Sequence, residues 1–172
     1  MILLVTLMLL NCQVIRPRPP VSNLPVRVKN GFDALVISIQ AGLTKKGVKV
    51  VNIGQDYLIS IPSALLFPDQ SPRLTWGSYA ILNEVVRLIK QFRKVGVNVT
   101  SYASHYKSAR RERALTQQRA RNVAAYLLSQ DIDSRFIFTE GAGSDKPISR
   151  HIFGGDKSPS SRIEITFRDA IV

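Results

Sequence analysis

Residues 108–130, SARRERALTQQRARNVAAYLLSQ, decide how the rest of the chain is read. Leu115, Val123, Tyr126 and Leu127 recur at helical spacing, which predicts a long helix from Ser108 to Gln130 with those four side chains toward a core. A helix of that length needs a partner surface, and the flanking segments supply it.

Upstream, Val97 to Tyr102 reads as a strand, and Gly96 stops an earlier helix that starts near Thr75 and runs to Lys94. Thr75 is its expected N-cap, and Leu82, Val85, Val86, Ile89 and Phe92 are its apolar stripe. Residues 62–72 are irregular and carry Leu65-Leu66-Phe67. Before them, Val48–Ile53 and Tyr57–Ile61 alternate around Gly54-Gln55-Asp56, a hairpin signal. Phe32, Leu35, Val36, Ile39 and Leu43 mark a first helix that stops at Lys45-Lys46-Gly47. Downstream, Phe136–Thr139 reads as a strand, Gly141-Ala142-Gly143 as a tight turn and Ile163–Phe167 as a closing strand. The order predicts an α+β two-layer sandwich, with helices packed on one face of a mixed β-sheet. No internal repeat is visible.

Composition bounds the chemistry. A chain of 172 residues with 45% hydrophobic residues has room for one ordinary domain and a short tail. The 24 Lys and Arg outnumber the 12 Asp and Glu, and that excess points to a partner carrying negative charge. Cys12 is the only cysteine and His105 and His151 the only histidines, so a disulfide scaffold is excluded and a Cys/His metal site is not expected. No nucleophile, base and orienting acid converge in the readable motifs, and Gly141-x-Gly143 lacks a third glycine because position 146 is Lys. An enzyme is therefore not expected, and neither is a cofactor.

The first residues, MILLVTLMLL, have the length of the apolar region of a secretory signal and are too short to span a bilayer. Cys12 follows directly and resembles the lipobox cysteine of bacterial lipoproteins, where the signal is cut before a cysteine that then carries acyl chains. Asn11 stands where a small residue is usual, and no Lys or Arg precedes the apolar run, which fits a start codon further upstream. The competing reading is a buried N-terminal strand with an incidental cysteine. Residues 13–30, QVIRPRPPVSNLPVRVKN, hold four prolines and four basic residues and read as an extended tether. The expected organisation is a signal segment over 1–12, a tether over 13–30 and a folded domain over 31–172.

Five pieces in order resemble the OmpA-like domain, the module of outer-membrane protein A and of peptidoglycan-associated lipoproteins. Leu58-Ile59-Ser60-Ile61-Pro62 with Leu66-Phe67 is similar to the family's opening strand and its Leu-Phe landmark. Leu115-Thr116-Gln117-Gln118-Arg119-Ala120 with Val123 and Tyr126-Leu127 resembles the signature L-S-x-x-R-A-x-x-V-x-x-Y-L. Gly141-Ala142-Gly143 with Lys146-Pro147-Ile148 resembles G-x-G-x-x-x-P-I, and Arg162-Ile163-Glu164-Ile165 the end of N-R-R-V-E-I. Joined to a lipobox and a Pro-rich tether, the domain further resembles the outer-membrane lipoprotein of Dot/Icm type IV secretion systems.

The resemblance implies a site for diaminopimelate of the peptidoglycan stem peptide. In the family an arginine fork takes the carboxylate and an aspartate takes the ammonium. Arg119 matches the arginine. The family's G-H/Y-T-D segment falls on Ser101-Tyr102-Ala103-Ser104, so Ser104 replaces the aspartate, Ala103 the threonine, and Glu112 stands at a usual asparagine. A hydrogen bond to a charged group contributes about 1.5–3 kcal/mol, so the change implies binding roughly ten- to hundredfold weaker unless another acid compensates. Glu112 is the nearest such acid in sequence. The candidate peptidoglycan-binding residues are Arg119, Ser104, Ala103, His105, Leu115 and Arg162.

Each has a plainer reading. Arg119 reads equally as a ligand fork and as a structural ion-pair residue, and Arg162 reads first as a structural partner of an acid near the sheet edge. Arg110-Arg111-Glu112-Arg113 reads as a solvated face before an anion site, and His105 as a solvated side chain before a ligand contact. Trp76 and Tyr79 are expected in the core or in a subunit contact. The leading expectation is a non-enzymatic outer-membrane lipoprotein with its domain in the periplasm, anchored through acylated Cys12. It serves as a structural subunit of a type IV secretion complex facing peptidoglycan, its partners being other secretion-complex subunits. The alternative is a general peptidoglycan-anchoring lipoprotein. Nucleic-acid binding, prompted by a pI near 10.4, is not expected, because no aromatic stacking platform accompanies the charge.

Overall fold

The computed structural model describes residues 32–92, 94–105, 108–132, 137–149 and 155–169. The signal segment expected over 1–12 with Cys12, and the tether expected over 13–30, lie outside the described residues. Helix α1 (Phe32–Lys45) leads into the hairpin of β1 (Lys49–Ile53) and β2 (Asp56–Pro62). A single helical turn, α2 (Ser63–Leu66), and α3 (Trp76–Ile89) precede β3 (Lys94–Tyr102). Then come α4 (Ala109–Ser129), β4 (Ile137–Gly143), a 3-10 turn (Gly155–Lys157) and β5 (Arg162–Asp169). The strands lie in the order β1-β2-β5-β3-β4. β3 and β4 run parallel and the other neighbours antiparallel, so the sheet is mixed. This is the expected α+β two-layer sandwich.

One face of the sheet carries Ile59, Ile61, Val97, Val99, Ile163, Ile165 and Phe167, all buried. Against it pack Leu43 of α1, Leu82, Val85 and Ile89 of α3, and Val123 and Leu127 of α4, giving one hydrophobic cluster. The opposite side of each strand points away from that cluster, as the period of two requires. There the registered row Val51, Leu58, Thr166, Asn98 and Phe138 crosses all five strands.

Local chemistry sets the helix ends. Thr75 Oγ1 accepts from the Ser78 N–H at 3.3 Å, and Ser108 Oγ accepts from the Arg111 N–H at 3.4 Å, so both long helices start on hydroxyl caps. Gly47, at φ +84°, ends α1 in the left-handed conformation that glycine adopts without strain.

Several expectations shift. α3 ends at Ile89, because the N–H groups of Gln91 and Phe92 bond back to Leu88 O and Ile89 O and tighten the last turn. Phe92 is nevertheless buried, its ring 4.3 Å from that of Tyr57. Gly96 does not stop the helix; it lies inside β3, which starts at Lys94 opposite Asp169. Gly141-Ala142-Gly143 is the end of β4 rather than a tight turn, with Gly141 registered opposite Ser101. Leu115 is only half-buried and stands outside the core cluster, and Trp76, 91% exposed, is not a core residue.

Candidate ligand-binding site

The buried face of α4 changes character along its length. Its C-terminal half buries Ala120, Val123, Ala124 and Leu127, whereas its N-terminal half buries Glu112, Thr116 and Arg119. Buried polar groups require partners, and these find them in the three segments that converge on the helix.

The Gly141–Gly143 segment is the first. A Cβ at Gly141 would stand 2.3 Å from the Gln117 backbone nitrogen, so only glycine lets strand and helix approach this closely. The contact is sealed by the Gly141 N–H donating to Gln117 Oε1 at 2.9 Å and the Gly143 N–H donating to Thr116 Oγ1 at 3.1 Å. Thr116 in turn donates to Glu112 O at 2.8 Å.

The second and third segments meet on Arg119, which is fully buried. Its Nη1 and Nη2 donate to Asp156 Oδ1 at 2.6 Å and Oδ2 at 2.7 Å, a two-pronged ion pair with a carboxylate only 4% exposed. Nε donates to Ser71 O at 2.9 Å, and the guanidinium carbon sits 4.8 Å from the Phe67 ring centroid. Asp156 also accepts from the Gln70 N–H at 2.7 Å. Burial pushes the Asp156 carboxyl up, but the hydrogen bonds and charge of Arg119, with further donors, outweigh it and hold the group below the usual carboxylate range. Arg119 thus ties the loop after Phe67 and the 3-10 turn before β5 to α4.

Ser104 and Ala103, at the end of β3, are also buried. The Ser104 hydroxyl donates to Gly155 O at 2.7 Å, and its N–H donates to Ser161 Oγ at 2.9 Å. Ser161 donates to the same Gly155 carbonyl at 2.8 Å. In the N-R-R-V-E-I register, Ser161 falls on the first arginine. Two hydroxyls therefore stand where the resemblance leads one to look for an acid and a base. The acid beside Arg119 is not Glu112 but Asp156, which no motif singled out.

Glu112 serves another part of the site. Its Oε2 accepts from the Ser144 hydroxyl at 2.8 Å, and its Oε1 lies 3.4 Å from His105 Nδ1. His105 and Ser144, with Ala103, Ser104 and Pro147, line an open cavity of about 310 Å³. Leu115 lines a separate cleft with Gln70, Pro72, Arg111, Glu112 and Gln118. Arg162 is 5% exposed, its Nε donates to Glu164 Oε1 at 2.6 Å, and its guanidinium carbon lies 4.0 Å from the Tyr102 ring centroid. Its acid sits in its own strand, and β5 is central, so the pair is not at a sheet edge. Burial first, then the nearby Glu164, raises the Tyr102 phenol above its ordinary value. The structure thus brings Ala103, Ser104 and His105 to one cavity and keeps Arg119, Leu115 and Arg162 outside its lining.

Among the described residues no cluster of three or more His, Cys, Asp and Glu is arranged to hold a metal ion. No described helix is long and apolar enough to cross a membrane.

The profile of the OmpA family matches residues 66–159, which include Arg119, Asp156 and the cavity lining. Over 120 residues the chain is 31% identical to Probable lipoprotein YiaD of Escherichia coli K12, a match covering 70% of this chain and 55% of that protein. It is 29% identical over 101 residues to the peptidoglycan-binding protein ArfA of Mycobacterium tuberculosis H37Rv, covering 59% of this chain and 31% of the relative. The chain therefore spans about half of one relative and a third of the other. Among solved structures, the cell wall anchor of the type VI secretion system from Pseudomonas aeruginosa superposes with a TM-score of 0.69 at 20% identity, covering 78% of this chain and 97% of that one. At that identity the likeness is one of fold.

Proposed function

Because the chain belongs to the OmpA family, we propose that it is a non-enzymatic, outer-membrane-associated protein whose periplasmic domain docks on peptidoglycan. The observation that carries this reading is Arg119 in the family's position on the signature helix, linked through Asp156 and the adjoining Gly155 carbonyl to Ser104 in a cavity formed by Ala103, Ser104, His105, Ser144 and Pro147. The likeness to a lipoprotein and to a peptidoglycan-binding protein supports it. So does the lipobox-like Cys12, which would hold the chain to the outer membrane while residues 13–30 span the gap to the wall.

The grip differs from the one the resemblance implies. A stem-peptide carboxylate meets no free fork at Arg119, because Asp156 already holds both of its prongs. Arg119 is a positioning residue here. It fixes the turn whose Gly155 carbonyl accepts from Ser161 and from Ser104 in the cavity wall. His105 and Ser144 supply the hydrogen-bonding rim, and Glu112 the carboxylate behind it for an ammonium group.

The occupied fork also favours a second reading: a structural subunit of a type IV secretion complex, in which contacts to other subunits replace most of the glycan binding. Retention on purified sacculi separates the two. The first reading expects the full chain to be retained and Ser144→Ala or His105→Ala to weaken retention. The second expects the chain to pass through while partner subunits co-purify with it from the envelope.

A further inference from the structure

An exposed tryptophan on a well-formed helix is unusual, because its large apolar surface is normally removed from water. Trp76, the only tryptophan in the chain, is 91% exposed at the first position of α3. It is not isolated. The Tyr79 ring lies 6.0 Å from it, centroid to centroid, and the Tyr126 ring of α4 lies 5.4 Å beyond Tyr79. The planes are inclined by 57° and 53°, so the rings do not stack flat on one another.

The strip is held rigid and bordered by amides. The Tyr126 hydroxyl donates to Asn83 Oδ1 across the two helices. Asn122, one turn before Tyr126, donates to Pro72 O at 2.7 Å. Asn83 and Asn122 are both exposed. The strip also adjoins the Arg119 cluster. Pro72 follows Ser71, whose carbonyl takes the Arg119 Nε, and Asn122 lies one turn from Arg119 on the same helix.

We propose that Trp76, Tyr79 and Tyr126 form a platform for the saccharide rings of a glycan strand, a subsite separate from the stem-peptide cavity. This rests on the peptidoglycan reading and adds its sugar component. The electron-rich face of an aromatic ring attracts the polarised C–H groups on the face of a pyranose. Ring edges bristling with hydroxyls then need amide partners, and Asn83 and Asn122 stand at the rim to provide them.

The test uses the full chain and Trp76 as its own reporter. Glycan strands stripped of stem peptides are titrated against Trp76 emission, beside free stem tetrapeptide and intact sacculi. The expected result is a shift and quench with stripped strands and none with the peptide. Trp76→Ala and Tyr79→Ala should each weaken retention on stripped strands about threefold to tenfold with the fold intact. Emission unmoved by stripped strands while sacculi retain the chain overturns the platform and leaves the peptidoglycan reading standing. Failure of both sacculi and strands removes both. A shift that follows protein concentration marks a contact between copies, and one produced only by phosphatidylglycerol vesicles marks a membrane surface; either overturns the platform.

Discussion

Arg119 and Asp156 hold each other through two hydrogen bonds of 2.6 and 2.7 Å, at a point where the arginine is fully buried and the aspartate is 4% exposed. Both charges are almost entirely removed from water, and each is the other's counter-charge.

Removing one partner therefore leaves a buried charge uncompensated. Arg119→Ala and Asp156→Ala should each cost about 3–5 kcal/mol of stability. The double substitution should cost much less than the two together, because it strands no charge. Urea unfolding of the four proteins measures the coupling, and additive losses would mean that the pair is not formed.

Folding lowers the Asp156 pKa, so the folded state binds this proton more weakly than the unfolded chain does. The stability contributed is present above the ordinary value of 3.8 and is lost as pH falls through the lower folded value. Asp156→Asn should be much less stable than the native chain at pH 7, and the gap should narrow only below pH 3.8. Thermal unfolding from pH 7 to pH 2 follows it.

A fork emptied by mutation should accept a substitute. In Asp156→Gly, sodium acetate or free diaminopimelate should raise the melting temperature by filling Arg119, and neither should do so in the native chain. Equal effects on both proteins would show that Asp156 does not occupy the place of a ligand carboxylate.

Gly141 permits the close approach of β4 to α4, and an added methyl meets the Gln117 backbone at 2.3 and 2.6 Å. Gly141→Ala should cost about 1–3 kcal/mol or more through overpacking, because backbone on both sides cannot turn aside. Gly42, with nothing within 4 Å, is the control: Gly42→Ala in α1 should be neutral or stabilising.

Ser104→Asp would direct a carboxylate at the Gly155 carbonyl that now accepts the serine hydroxyl. The substitution should destabilise the fold on its own. Adding Ser161→Arg should recover much of the loss, since it places a guanidinium beside the new acid. Denaturant midpoints of the single and double variants decide this.

The elements governed by apolar period were legible in the sequence: the hairpin, the closing strand and the C-terminal half of α4 with Val123 and Leu127 all lie where the pattern puts them. The site was legible in part. The resemblance brought Ala103, Ser104 and His105 into view, and they do share a cavity. Asp156 was not, because its role depends on a contact with a residue 37 positions away, in a segment matched by no motif. The N-terminal half of α4 misled for a related reason. Hydrophobic spacing selects Leu115, whereas the helix turns Glu112, Thr116 and Arg119 inward, and polar burial leaves no periodic apolar signal.

The reach of Arg119 also bears on the order of folding. Its partners at Ser71 and Asp156 lie 48 residues before it and 37 after it. Each contact requires its own long loop to close, and closure of such loops is slow to be repaid. The cluster is therefore expected to form late, outside the folding nucleus. Substitutions at Arg119 and Asp156 should then leave the refolding rate almost unchanged and speed unfolding, shortening the lifetime of the folded domain.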